Sequence, residues 1–386
     1  MKTLIKNAQI VTSDKIIEGG CCLLEDGLIT YVGSELQAAD RVLDAKGCYL
    51  LPGFIDIHCH GGGGLEFMDA SVEEVQAIAD FHLRHGTTTL LATTLAADWA
   101  ETENALDTLA MHKATKPDSS LLGVHLEGPC LNPLQCGAQN TAYMKLPAEL
   151  DIAALKRKYP FILRLSAAPE LEGGLQLGEA AAALGISVSA AHTDADFSVM
   201  EEALSHGYTG ITHLYSGMKG VTRKNSFRIA GAVEAGLYFD EYTVEIIADG
   251  CHLPTELLRL IYKCKGADRI ALVTDAIRAA GLPEGTKTKI GSLKNGLPVI
   301  VEDGVAKTPD RQSFAGSAAT YDRLYRTMWE AVGGDRVALS RMTALTPARA
   351  LGLTDRGEIA YGKRADLLLM NEENQITHIF LGGNEI

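Results

Sequence analysis

Two histidines one residue apart, His58 and His60, close the apolar stretch Phe54-Ile55-Asp56-Ile57-His58-Cys59-His60, between Pro52-Gly53 and the glycines Gly61 to Gly64. In a strand, residues i and i+2 face the same way, so the two imidazoles are expected to converge on one point. The glycines let the backbone turn sharply beside whatever they hold. Other imidazoles and carboxylates end apolar runs in the same manner: His125-Leu126-Glu127, Ala191-His192-Thr193, Thr212-His213-Leu214, Asp249-Gly250-Cys251-His252 and Thr274-Asp275-Ala276. These are the groups that hold zinc, iron or manganese while leaving coordination positions open. A lone histidine at a strand end is an ordinary satisfied or solvent-facing group, and Asp275 alone reads as a helix cap. Together, at one rim, they predict a metal site. His125 shares the face of Glu127 but lies deeper, as support for a ligand. His82, His85, His112 and His206 fall in helices or at their ends and are expected at the surface. Gly61–Gly64 is no phosphate loop, because no Gly-Lys-Ser/Thr follows. No G-x-S-x-G nucleophile elbow is present.

The elements that must position these groups alternate regularly from Pro52 onward. Apolar strand-like runs cover 54–60, 87–94, 121–127, 162–168, 187–192, 210–214, 243–248 and 269–275, near-continuous as parallel strands covered on both faces require. Helical patterns lie between them at 71–84, 98–114, 147–158, 175–184, 197–205 and 254–263. Ser71 with Glu74 is a capping-box start. Eight such units predict a (β/α)8 barrel over residues 52–352, whose chemistry sits at the carboxyl ends of the strands. Residues 1–51 are β-rich, with a hairpin signal at Glu25-Asp26-Gly27. β texture returns at 357–359, 365–369 and 376–381. A small β-sandwich domain built from residues 1–51 and 353–386 is therefore expected. The stretch 281–310 reads as an inserted hairpin or lid with its turn at Lys294-Asn295-Gly296, and helices are expected at 318–331 and 336–351.

Composition narrows the function classes. The formal net charge of −14 argues against a nucleic-acid or anionic-membrane binder, and leaves room for a small phosphorylated substrate needing only local cations. No secretory h-region opens the sequence, and no apolar run approaches a membrane span. The eight cysteines form no C-x-x-C pair, which fits reduced thiols in a cytoplasmic enzyme better than a zinc ribbon or disulfide framework.

The segments Pro-Gly-Phe-Ile-Asp-Ile-His-Cys-His-Gly (52–61), His-Leu-Glu-Gly-Pro (125–129), Ala-His-Thr (191–193), Thr-His-Leu-Tyr (212–215), Ala-Asp-Gly-Cys-His (248–252) and Val-Thr-Asp-Ala (273–276) resemble the N-acetylglucosamine-6-phosphate deacetylase family of the amidohydrolase superfamily. The resemblance runs through nearly the whole chain, including Thr-Pro-Ala-Arg-Ala-Leu-Gly (346–352) and Gly-Lys-Arg-Ala-Asp-Leu (362–367). Many other amidohydrolases bridge two metals with a modified lysine on the fourth strand. None stands there in this chain, and Glu127 supplies the carboxylate instead.

The resemblance implies that Glu127, His192 and His213 hold a principal divalent metal, and that His58 and His60, with Glu127 bridging, hold a second. Zinc is the leading candidate; iron, manganese and cobalt accept the same ligands. It implies that Asp275 takes the proton of the attacking water and returns it to the leaving amine. It places substrate contacts at Ala138, Gln139, Ser216, Gly217, His252, Ala315 and Gly316, with the phosphate near Arg223 or Lys224 and the clamp completed by a neighbouring subunit of a homodimer. The sequence departs from the family at Ser216-Gly217, where Asn-Ala is usual, and at Gln139, where a histidine is usual. The expected activity is hydrolysis of the N-acetyl group of N-acetylglucosamine-6-phosphate. The departures leave open a deacylase for another N-acyl amino sugar or amino acid. A barrel without catalysis, serving as a binding protein, is the remaining alternative.

Overall fold

The computed structural model describes residues 2–386. Eight parallel strands, Phe54–Cys59, Thr87–Thr93, Leu121–Glu127, Ile162–Ala167, Ser187–Ala190, Tyr208–Ile211, Thr243–Ile246 and Ile270–Leu272, form one sheet in sequential order. Most are buried along their whole length, which is why they read as unbroken apolar runs rather than alternating ones. The sheet curls until its two edges meet. The Asp275 N–H donates to the His58 carbonyl at 2.9 Å, the His60 N–H to the Ala276 carbonyl at 2.8 Å, and Cys59 and Ala276 form a parallel bridge. The first and eighth strands thereby bring their carboxyl ends together.

Helices follow most strands. Val72–Arg84 starts as its sequence predicts: the Glu74 N–H donates to Ser71 Oγ and the Ser71 N–H to the Glu74 carboxylate. Its inner stripe is Val75, Ile78, Ala79, His82 and Leu83. His82 is therefore buried rather than at the surface, with Nε2 2.9 Å from the Gly61 carbonyl. Burial lowers it to about 4, so the ring is neutral. His112 is also buried, with Nε2 2.9 Å from Gln76 Oε1. Both histidines occupy the helix stripe that packs on the sheet, and that periodicity outweighs their polarity. His85 and His206 stay partly exposed. A helix that the sequence reading passed over, Ala232–Tyr238, precedes the seventh strand.

Several boundaries shift. The fifth, sixth, seventh and eighth strands end earlier than their apolar runs. The stretch 357–359 is not a strand. The first late helix is Tyr321–Ala331, because Ser317 is still held beside the eighth strand: its N–H donates to the Asp275 carbonyl and its carbonyl accepts from Ile277. The second is interrupted by a π-turn at Arg341–Leu345. The insertion is a three-stranded antiparallel sheet, Lys287–Ile290, Leu297–Glu302 and Val305–Lys307. The buried pair Arg278 and Glu66 anchors its turn, Arg278 to the Gly291 carbonyl and Glu66 to the Gly291 N–H.

Both termini contribute to a second sheet. Leu367–Met370 pairs antiparallel with Tyr49–Pro52, which runs parallel to Lys2–Val11; Ile16–Glu25, Leu28–Gly33, Arg41–Asp44, Ile376–Leu381 and Asn384–Glu385 complete it. The hairpin at Asp26-Gly27 has both residues at positive φ, as a two-residue turn between twisted strands requires. Arg336, 5% exposed, ties this sheet to the late helices. Its guanidinium lies 3.8 Å from the Tyr49 ring centroid and 4.3 Å from that of Trp329, and donates to Asn374 Oδ1 and the Glu372 carbonyl. Arg336→Met keeps the stem but removes the stacked cation and leaves buried acceptors unpaired. Stability is expected to fall by about 2 to 3 kcal/mol, read as a lower urea midpoint at unchanged slope.

Candidate metal centre

Glu127 closes the third strand, and the other groups arrive from four strand ends. His58 lies within its strand and His60 just beyond it. His192, His213 and Asp275 lie two or three residues past theirs. These last three have φ of 42°, 31° and 47°, the left-handed region that side chains with a Cβ seldom occupy. The left-handed step turns each side chain off the strand line. It is held by bonds from other strands: Leu214 N–H to the Glu245 carbonyl, Asp275 N–H to the His58 carbonyl, and Thr193 N–H to the Gly217 carbonyl. At Gly217, itself at φ 55°, a Cβ would meet His192 Nδ1 at 2.6 Å, so only glycine lets the backbone pass so close to that ring.

Four imidazoles converge through Nε2 on two carboxylates. Glu127 Oε1 is 3.1 Å from His213 Nε2 and 3.4 Å from His192 Nε2. Glu127 Oε2 is 3.4 Å from His60 Nε2. Asp275 Oδ1 is 3.2 Å from His60 Nε2 and 3.4 Å from His58 Nε2, and the two Nε2 atoms are 3.2 Å apart. All six residues are at most 7% exposed. The outer nitrogens are tied back: His58 Nδ1 to Glu245 Oε2 at 3.0 Å, His60 Nδ1 to the Thr93 carbonyl at 3.2 Å, and His192 Nδ1 to the Gln135 carbonyl at 2.8 Å. Each of these partners can only accept, so Nδ1 carries the proton and Nε2 presents a lone pair inward.

Lone pairs and carboxylate oxygens facing one another in a dry site repel unless positive charge lies between them. The electrostatics show the same demand. Burial works against the charged form of His60, yet Asp275 and Glu127 lift it to about 9. Glu127 and Asp275 lift His58 well above the usual range in the same way. Against burial, His58 and the hydrogen bonds of His192 and His213 hold Glu127 well below the carboxylate range, and His58 and His60 hold Asp275 down. Donors bonded at about 2.1 Å to a tetrahedral ion lie roughly 3.4 Å apart, which is the spacing found here. The residues present therefore fit metal ions at two adjoining positions, Glu127-His192-His213 and His58-His60-Glu127.

The centre opens into a cleft of about 730 Å³, counted to its solvent mouth. Ala138, Gln139, Ser216, Gly217, His252 and Gly316 line it, as the sequence reading expects. His252 Nδ1 lies 2.8 Å from Asp249 Oδ2, and its ring packs on Phe314. Gln139 is in the wall but its amide is already engaged: Nε2 donates to Glu127 Oε2 at 2.8 Å and Oε1 accepts from the Ala96 N–H at 2.8 Å. Ala315 does not line the cleft. It is buried behind Gly316, its N–H bonded to the Ala306 carbonyl. Arg223 and Lys224 do not line it either. They sit on an exposed hairpin, Thr222–Lys224 with Phe227–Ile229, and no lysine or arginine is among the lining residues.

Sequence reasoning passed over Leu95, Ile290, Ser313 and Phe314 of the cleft wall, because loops from distant parts of the chain bring them in. It also passed over Glu245 and Arg164. Their signal was present: each is a charged residue inside an otherwise apolar strand. His125 is placed as expected, a neutral buried ring edge-on to His58 and bonded to Ser166 Oγ at 2.7 Å.

Comparison with known proteins agrees with this geometry. The sequence profile of the amidohydrolase family matches residues 49–386. An N-acetylglucosamine-6-phosphate deacetylase of Lysinibacillus sphaericus is 31% identical, over 96% of this chain and 94% of its own. An N-acetylgalactosamine-6-phosphate deacetylase of Escherichia coli O157:H7 is 30% identical over 99% of both. The crystal structure of a variant N-acetyl-D-glucosamine-6-phosphate deacetylase from Mycobacterium smegmatis, in complex with N-acetyl-D-glucosamine-6-phosphate, superposes with a TM-score of 0.90 at 29% identity, covering 100% of this chain and 99% of that one. On this match the chain belongs to the amidohydrolase family and groups there with the N-acetylglucosamine-6-phosphate deacetylases.

Proposed function

We propose that the chain hydrolyses the N-acetyl group of N-acetylglucosamine-6-phosphate, giving glucosamine-6-phosphate and acetate. The observation that carries this is the convergence of Glu127 and Asp275 with four inward-facing imidazole nitrogens at the floor of a cleft. Glu127, His192 and His213 would hold the principal divalent ion, zinc in the first instance, and His58 and His60 with Glu127 a second. A bound ion lowers the pKa of water from 15.7 toward about 7 and polarises an amide carbonyl. Asp275 then has the proton work. Its carboxylate, ionised and facing the centre, accepts the proton of the attacking water and delivers it to the departing amine. His252, held by Asp249 and stacked on Phe314, presents its free ring nitrogen to the sugar. Burial of the floor keeps bulk water from competing with these bonds.

The phosphate needs a cation that the cleft wall of this chain does not provide. In this reading a homodimer provides it, with the exposed hairpin carrying Arg223 and Lys224 reaching the partner's cleft. The same reading divides the chain into a (β/α)8 barrel of residues 52–352 and a small β-sandwich of residues 1–51 and 353–386, with the insertion over the cleft through Ile290. The eight unpaired cysteines support a cytoplasmic setting. No helix among the described residues is long and apolar enough to cross a membrane.

A second reading, deacylation of another N-acyl amino sugar, is favoured by Ser216-Gly217 and by the engaged amide of Gln139. Acetate release from N-acetylglucosamine-6-phosphate, N-acetylgalactosamine-6-phosphate and unphosphorylated N-acetylglucosamine, each with defined added metals, separates the two. The first compound is expected to give the highest kcat/KM, and the unphosphorylated sugar at least about 100-fold less, as loss of a charged anchor implies. Equal rates with and without the phosphate would sink the main reading.

A further inference from the structure

Of the four imidazoles, one alone is backed by a charge. His60 and His192 lean on backbone carbonyls, and His213 Nδ1 has no partner. His58 Nδ1 faces the carboxylate of Glu245 at 3.0 Å. Glu245 is wholly buried in the seventh strand, and its other oxygen meets Arg164 Nη2 at 2.6 Å. Arg164, 1% exposed, belongs to the fourth strand, so the pair crosses the interior of the curled sheet between strands that are not neighbours. Its Nη1 donates to Ser187 Oγ at 2.9 Å. At Gly210 a Cβ would lie 2.9 Å from Arg164 Nη2, so the sixth strand is bare where the guanidinium passes. A buried ion pair costs desolvation and does not by itself explain why a fold keeps it. Here its free end terminates on a metal-facing ring.

We propose that Glu245, clamped by Arg164, is a positioning residue for the metal centre: it fixes the Nδ1–H form of His58 and thereby sets the affinity of the His58–His60 position. The proposal rests on the two-ion reading above. A carboxylate can only accept, so the His58 proton stays on Nδ1 and Nε2 stays free to ligate. Glu245→Gln makes the clamp decisive. Arg164 can only donate, so it claims the amide oxygen and turns the NH2 toward His58. Nδ1 must then accept, the proton moves to Nε2, and that nitrogen ceases to be a ligand. Removing the guanidinium as well, in Arg164→Met/Glu245→Gln, frees the amide to turn its oxygen back to His58.

The test is titration of chelator-stripped protein with Co2+, following the visible spectrum and bound metal at equilibrium. Wild type is expected to take up two ions. Glu245→Gln is expected to keep the first at wild-type affinity and to weaken the second by about 10- to 100-fold. The double variant is expected to recover most of that loss, which a merely structural role for the ion pair would not produce. A Glu245→Gln protein binding both ions as wild type does, or a folded double variant showing no recovery, overturns the proposal. Should the variants fail to fold, the 15N-histidine spectrum of loaded wild type decides. An exchange-protected proton on His58 Nδ1 supports the proposal, and its absence overturns it. A wild type that binds fewer than two ions overturns the two-ion reading itself, which is a distinguishable result.

Discussion

Asp275→Asn is expected to reduce kcat by roughly 100- to 10,000-fold while leaving the metal content unchanged. The asparagine keeps the shape and the backbone bonds that link the first and eighth strands, Asp275 N–H to His58 and the Asp275 carbonyl to Ser317. It leaves Glu127, His192 and His213 untouched. What it removes is the one carboxylate facing the centre other than Glu127, whose two oxygens are already taken up by imidazoles and Gln139. The proton of the attacking water then has no acceptor, and the departing amine has no donor, in a floor that bulk water does not reach. The position is well matched to the task, because His58 and His60 keep Asp275 ionised despite its burial. Single-turnover acetate release, beside metal analysis of the same preparation, checks this. An asparagine variant that holds its metal and turns over near the wild-type rate would remove Asp275 from the proton-transfer role.

Glu127→Gln is expected to act one step earlier and to empty the site. Its carboxylate is shared by His192, His213 and His60 and accepts from Gln139. An amide carries no charge to offset a cation. Its NH2 would also face either an imidazole nitrogen or the Gln139 amide, donor against donor. Metal affinity should fall by well over the roughly 10- to 100-fold that loss of a supporting residue costs, and activity should fall with it. The fold should persist, since the third strand is held by its neighbours on both sides. Excess metal should recover part of the activity, unlike in Asp275→Asn. Full metal content in a well-folded Glu127→Gln would contradict the assignment. The pair of variants thus separates holding the ion from using it.

Much of this centre was legible in the residues. Apolar runs of strand length, interleaved with helical periodicity, specified a parallel sheet covered on both faces, because only such strands hide both sides. A histidine or carboxylate breaking such a run at its end marked the rim. His58 and His60 were placed together by strand alternation alone, and their Nε2 atoms are 3.2 Å apart. The capping box at Ser71 and the turn at Asp26-Gly27 are local chemistry and could be read locally.

The rest was decided across the fold. Alternation assigns a face only within a strand, and His192, His213 and Asp275 lie beyond theirs, where direction is set by a left-handed backbone step and by bonds from other strands. The sequence carries no local preference for that step at a histidine or aspartate. Gln139 looked like a substrate contact because its partners, Glu127 and the Ala96 N–H, come from other loops. Arg223 and Lys224 looked like a phosphate clamp by proximity in sequence, but the hairpin carries them away from their own cleft. Glu245 and Arg164 meet only because the sheet curls and brings its fourth and seventh strands face to face. Residue type and spacing thus determined which groups this chain has for chemistry and at which rim they stand. Tertiary structure alone decided where each one points, because side-chain direction past a strand end depends on neighbours that are remote in sequence.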